Sequence, residues 1–255
     1  MIHSEGSPAL DLNELLDFAE WYRRESRASQ MAWCSVFQEV VACHNGIMTL
    51  GAIHGNPSEF CVPLLLAHYS ILYFISAVDL ALSGQVPACY ALQRMCVESI
   101  VYAYTAMHRP EFGKVWLRRD DSPADNKRFR AQSIMMGEGK LIDGLPDDGV
   151  FLRGAFHKLY ETTISYGGHP NQKGVLEFAE LKHDKELYLL GVEVFSEKAP
   201  FLGALKSTAR TGYAVACLED LMFNVHLSPG ALRDRIHALA EQGRRELGID
   251  SEEFL

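Results

Sequence analysis

The sequence predicts a mainly α protein, an antiparallel helical bundle built around a central helical hairpin over residues 58–108. Three observations carry this. The first is a pair of long apolar segments: between Phe60 and Leu82 only His68 and Asp79 can ionise, and residues 86–108 hold Arg94 and Glu98 inside an apolar and aromatic run. The second is the join between them, Ser83-Gly84-Gln85, too short for anything but antiparallel neighbours if both segments are helices. The third is the recurrence of apolar residues at helical spacing through most of the remaining chain.

Taken in order, Ser7-Pro8 reads as an N-cap followed by proline at the first helical position. It opens a helix from Leu10 to about Arg27, with apolar residues at 12, 15, 16, 18, 19 and 22. A second apolar stretch, 31–53, continues that helix or restarts after Glu25-Ser26-Arg27-Ala28-Ser29. Gly55-Asn56-Pro57-Ser58 ends it and caps the hairpin. After the hairpin, short helices are expected from Pro110 to Arg119 and from Ser122-Pro123 to about Met136. Residues 137–149, rich in Gly, Asp and Pro, read as a surface loop. Asp147 or Asp148 caps a helix from Val150 to about Tyr166, which stops at Gly167-Gly168.

Character changes over 175–195. Two runs rich in Val, Tyr and Phe flank Lys182-His183-Asp184-Lys185, which suits a small two-stranded β appendage, with two short helices as the alternative. A long amphipathic helix from Pro200 to about Leu227 follows, and Ser228-Pro229 caps a last one ending near Gly248. No repeat, low-complexity tract or linker divides the chain, so residues 1–255 are expected to form one helical domain.

Composition narrows the function classes. A net charge of −9 disfavours a protein whose main work is neutralising nucleic-acid phosphates. Residues 60–82 are long enough to span a bilayer. Pro63, His68, Asp79 and the lack of flanking Lys or Arg predict a buried central helix instead, and no membrane. Met1-Ile2-His3-Ser4-Glu5 lacks the basic start of a secretory signal. The six cysteines form no Cys-x-x-Cys pair, so reduced thiols in the cytoplasm are expected, with no metal cluster and no cofactor. Residues 31–53, both hairpin arms and 200–227 all look core-facing, more apolar surface than one such bundle covers, which predicts a homodimer or larger.

Two constellations could carry chemistry. At about 100° per residue, His68, Ser76 and Asp79 fall in one quadrant of the first hairpin helix. A tight turn would then set Arg94 opposite Asp79, Glu98 one turn from Arg94, and His68 near Tyr102. Arg94, Glu98, His68, Asp79 and Tyr102 could thus line a pocket for an anionic ligand, or lock the hairpin as a buried ion-pair network. The second constellation is Arg153 and His157, four apart on one helix face, with Ser165 and His169 beyond. An imidazole beside a guanidinium is a candidate base, so His169, His157 and Arg153 suit phosphodiester chemistry, while a helix terminus whose His169 and Asn171 bond loose backbone groups is the plainer reading.

The phrase Tyr90-Ala-Leu-Gln-Arg94-Met-Cys-Val-Glu98 resembles a helix of several uncharacterised bacterial all-helical families. These carry an aromatic or Leu, then Arg, then Glu four later, and often a later turn similar to Ser165-Tyr-Gly-Gly-His169-Pro-Asn171. The families are distantly similar to HEPN (higher eukaryotes and prokaryotes nucleotide-binding) helical domains. Several of those are RNases using Arg followed by His with four to six residues between. The resemblance implies an all-helical fold and a nucleotide- or RNA-directed activity at Arg153, His157 and His169, although here three residues separate Arg153 from His157. Three readings stand at this level: a helical bundle acting through protein partners or self-association, a HEPN-like enzyme, and a binder of small anionic ligands at Arg94 and Glu98.

Overall fold

The computed structural model describes residues 12–54, 57–132, 141–145, 152–168, 179–184, 187–192, 199–224 and 230–246. Within them the chain is mainly α. The order is α1 (Leu12–Ser29), α2 (Met31–His54), α3 (Pro57–Leu82), α4 (Val86–His108), α5 (Pro110–Leu117), α6 (Pro123–Arg130) and α7 (Leu152–Thr163). A π-helical turn, Ile164–Gly168, extends α7. Strands β1 (Ala179–Asp184) and β2 (Leu187–Val192) follow, then α8 (Ala199–Phe223) and α9 (Gly230–Glu246). The strands pair antiparallel, Ala179 opposite Val192 and Asp184 opposite Leu187.

The α3–α4 hairpin is the centre of the bundle, and α8 packs against both of its arms and against α2. The turn closes as the join implied. Gly84 adopts φ 74°, Gln85 N donates to Leu80 O at 2.9 Å, and Gly84 N donates to Ala81 O at 3.0 Å. This is the left-handed helix stop in which glycine avoids a Cβ clash and two loose carbonyls find donors. Farther along, Ser70 Oγ donates to Cys96 O at 2.9 Å, so the two arms are level there.

Local signals account for several boundaries. Ser122 Oγ accepts from Asp125 N at 3.1 Å, with Pro123 at the first helical position, so α6 starts where expected. It ends at Arg130, short of Met136. The Glu25–Ser29 stretch does not break the first helix: Gln30 N donates to Ser26 O and Cys34 N to Gln30 O, carrying the ladder past one turn residue. Part of the expected surface loop is core, because Leu141, Ile142 and Leu145 are buried. Caps at Ser7-Pro8, Asp147 or Asp148 and Ser228-Pro229 lie outside the described residues.

Glycines mark the closest approaches. A Cβ on Gly167 would lie 2.6 Å from Ala91 N, Pro87 O and Tyr90 Cβ, so the π turn sits directly on the α4 backbone. Tyr166 stacks on Tyr90 there, ring centroids 5.2 Å apart.

Candidate functional site

Helices α4, α7 and α8 pack on one another pairwise, and the buried polar side chains of the hairpin collect where they meet. Gln93 is fully buried on α4. Its Nε2 donates to Thr208 Oγ1 at 2.9 Å and to Cys89 Sγ at 3.1 Å, and its Oε1 accepts from Ser207 Oγ at 2.6 Å. A buried amide with both ends satisfied costs little and fixes the register of α4 on α8.

One residue on, Arg94 turns toward α7. It is buried, and its Nε donates to Glu98 Oε1 at 2.9 Å, the i to i+4 pairing that a helix face allows. Its guanidinium lies 5.5 Å from the Tyr160 ring centroid, and Nη2 reaches the Tyr160 hydroxyl at 3.5 Å. Burial pulls the Arg94 pKa down, but the bond and charge of Glu98 outweigh it and hold the guanidinium above its ordinary value. Burial, then the charge of Glu98, raises the Tyr160 phenol. Arg94 therefore meets Glu98 rather than Asp79. Asp79 lies on the outward side of α3, where Arg23 Nε of α1 holds it at 2.8 Å and Arg27 adds a second contact at 3.7 Å.

The other expected site residues separate. His68 is exposed on α3 and its ring lies 5.9 Å from that of His44 on α2, not beside Tyr102. Tyr102 is buried against Phe112 and Phe129, both with ring centroids at 5.7 Å, and helps pin α5 and α6 to α4. Arg153 donates from Nη2 to Leu145 O at 2.9 Å, and His157 Nε2 lies 2.8 Å from Asp143 Oδ1. Both side chains thus bind the 141–145 turn onto α7. His169 lies outside the described residues.

Two groups emerge that sequence patterns did not single out. His44 Nδ1 lies 2.7 Å from Glu219 Oε1, with both residues buried, and Glu219 Oε2 has no hydrogen-bond partner among the described residues. Burial raises the Glu219 pKa, and the His44 bond and charge offset only part of that rise. The second is Lys206 on α8, only 5% exposed, with Arg210 one turn along the same face. Burial, then the charges of Arg210 and of Lys158 on α7, lower the Lys206 pKa to about 8 against the pull of Glu241 on α9. The signal was available: Lys206 and Arg210 lie one turn apart in a long, largely apolar helix, so at least one long stem must run along buried surface.

The described residues contain no group of three or more His, Cys, Asp or Glu side chains set to hold a metal ion. Among the described residues one helix, over Cys61–Leu82, is long and apolar enough to cross a membrane by length and composition. Its inner residues Leu66, Ala67, Ile71, Phe74 and Ala77 are buried in the bundle. The chain matches no protein-family model, no characterised protein and no solved structure, so its function must be read from these residues.

Proposed function

We propose that the protein is a cytoplasmic helical scaffold that acts by self-association through the outer face of α3. The observation that carries this is one row of side chains. Leu65, Tyr69, Leu72 and Ile75 are 42%, 46%, 45% and 45% exposed, an apolar strip along one arm of the central hairpin. Cys61, Leu65, His68, Leu72, Ile75 and Asp79 all lie on this exposed or half-exposed side and follow one another at intervals of four, three, four, three and four. That spacing is the seam that a second helix fills by knobs-into-holes packing.

The best occupant is a second copy of the same helix, antiparallel about a two-fold axis. The spacing reads the same in both directions, so reversal sets Leu65 against Ile75, His68 against Leu72 and Cys61 against Asp79. A parallel pair would set the two Asp79 carboxylates and the two His68 rings side by side, whereas the antiparallel pair keeps both apart. Free thiols at all six cysteines suit the reducing interior of a cell. The HEPN-like alternative draws less support, since Arg153 and His157 are engaged with the 141–145 turn.

The test is a surface substitution that leaves the core alone. Light scattering should give twice the chain mass for the wild type and the chain mass for Leu72→Glu, both with the same helical circular dichroism. Oxidation should cross-link the double variant Leu65→Cys, Ile75→Cys between those positions. A wild type that stays monomeric, or that floats with phosphatidylcholine vesicles as a monomer, would overturn the proposal.

A further inference from the structure

Helix α1 carries an apolar stripe longer than the surface it packs on. Leu12, Leu16, Ala19, Tyr22 and Ser26 follow one another at intervals of four, three, three and four, and so share one face of the helix. Ala19, Tyr22 and Ser26 are buried. The second half of α1 is held there: the Tyr22 ring meets that of Phe201 on α8 edge to face at 6.0 Å, and Arg23 reaches Asp79 on α3. On the same face of the first half, Leu12 and Leu16 are 67% and 58% exposed, more than any residue of the α3 strip. The helical ladder runs on from α1 into α2, so this first half points away from α2 rather than lying along it. Its border is charged in one sense. Leu12–Glu20 holds Glu14, Asp17 and Glu20, all exposed, and no Lys or Arg. At about 100° per residue, Glu20 borders the stripe and Asp17 lies beyond it. Arg24, one turn after Glu20, lies instead against Glu25 at 3.8 Å.

We propose that the first half of α1 is a docking site for a basic amphipathic helix of another protein. The apolar stripe of that helix covers Leu12 and Leu16, and its Lys or Arg side chains lie along Glu20 and Asp17. Charge selects this occupant over two others. A second copy of the same stretch would bring carboxylate against carboxylate, and an anionic lipid surface repels the same border. The site is separate from the α3 strip. It gives a self-associating scaffold the means to hold a second protein, and it does not depend on the pairing of α3.

Fluorescence anisotropy with labelled model helices tests this on the full chain. One peptide has leucines in a single stripe bordered by lysines, a second has the same stripe bordered by glutamates, and a third scrambles the leucine–lysine composition so that no stripe forms. The first should bind at least about tenfold more tightly than either of the others, since it alone matches both stripe and border. Leu12→Gln with Leu16→Gln should weaken it by about tenfold, with unchanged helical circular dichroism, because both side chains are exposed in the free chain. Asp17→Lys with Glu20→Lys should turn the preference round, toward the glutamate peptide. Leu72→Glu, on α3, should bind the lysine peptide as the wild type does, so failure of the α3 pairing and failure of this site are told apart. Equal binding of all three peptides, or undiminished binding by the Leu12, Leu16 variant, overturns the proposal. So does a lower assembly mass in that variant, which would make a second copy the occupant. Flotation of the wild type with anionic vesicles, lost in that variant, would make the occupant lipid and overturn it too.

Discussion

Glu219 illustrates how a buried charge reports on itself. Its Oε1 is held by His44 while Oε2 has no hydrogen-bond partner among the described residues, so the ionised form is poorly solvated. A carboxyl raised by burial contributes stability that is complete below its ordinary value of 4.5 and lost as pH rises through its folded value. Glu219→Gln keeps an oxygen for His44 and removes the charge. Its stability relative to wild type should therefore grow between pH 4.5 and 7.5. Urea unfolding at the two pH values measures the difference, and a gap independent of pH would rule the reading out. Arg94 makes the opposite case, a buried cation that is paired. Arg94→Ala should cost about 3–5 kcal/mol, because it strands Glu98 and leaves a void, whereas Arg94→Met fills the space and should cost less. Equal losses in thermal unfolding would mean that packing contributes nothing there. The Arg94–Glu98 pair was legible in sequence because both partners lie on one helix, where spacing alone fixes their distance. Asp79 was misassigned for the complementary reason. Periodicity shows that His68, Ser76 and Asp79 share a face, but not what each meets there: Asp79 meets Arg23 and Arg27 of α1, while the His68 ring lies near His44 of α2.

At the scale of elements, what was legible follows from local chemistry. The hairpin could be read because a three-residue join with glycine admits one geometry, and Gly84 adopts it. The Ser122-Pro123 start could be read from its capping residues. The burial of Leu141, Ile142 and Leu145 could not, since Gly, Asp and Pro around them signal a loop whether or not its apolar residues fold inward. Arg153 and His157, expected as candidate catalytic residues, both reach that turn, a partner that their spacing on α7 could not name. The π turn after α7 makes a sharp prediction of its own. Gly167→Ala places a methyl against the α4 backbone and should cost about 2–3 kcal/mol, because the atoms it meets belong to main chain and cannot step aside. Gly154→Ala, on the exposed side of α7 with nothing within 4 Å, should stabilise by about 0.5–1 kcal/mol through helix propensity. Denaturant unfolding of both variants checks the contrast, and a tolerated Gly167→Ala would show that α7 and α4 can part there.

At the scale of the whole molecule, the mainly α fold was readable and the covered surface was not. Composition marks residues 60–82 as buried, yet the helix is buried on one side only: Phe74 and Ala77 face the core while Leu72 and Ile75 face outward. A helix apolar all round needs cover all round, and one chain supplies it on one face. Self-association would resolve that mismatch. It also sets the direction of the salt dependence. Apart from His68 and Asp79 at its end the seam is apolar, so added sulfate should tighten the dimer rather than dissolve it. Sedimentation equilibrium of the wild-type chain at micromolar concentrations is the most direct measurement. A concentration-dependent mass rising from 28.5 kDa toward twice that value, abolished by Leu72→Glu, is expected. A mass fixed at 28.5 kDa across the range, for wild type and variant alike, would contradict it.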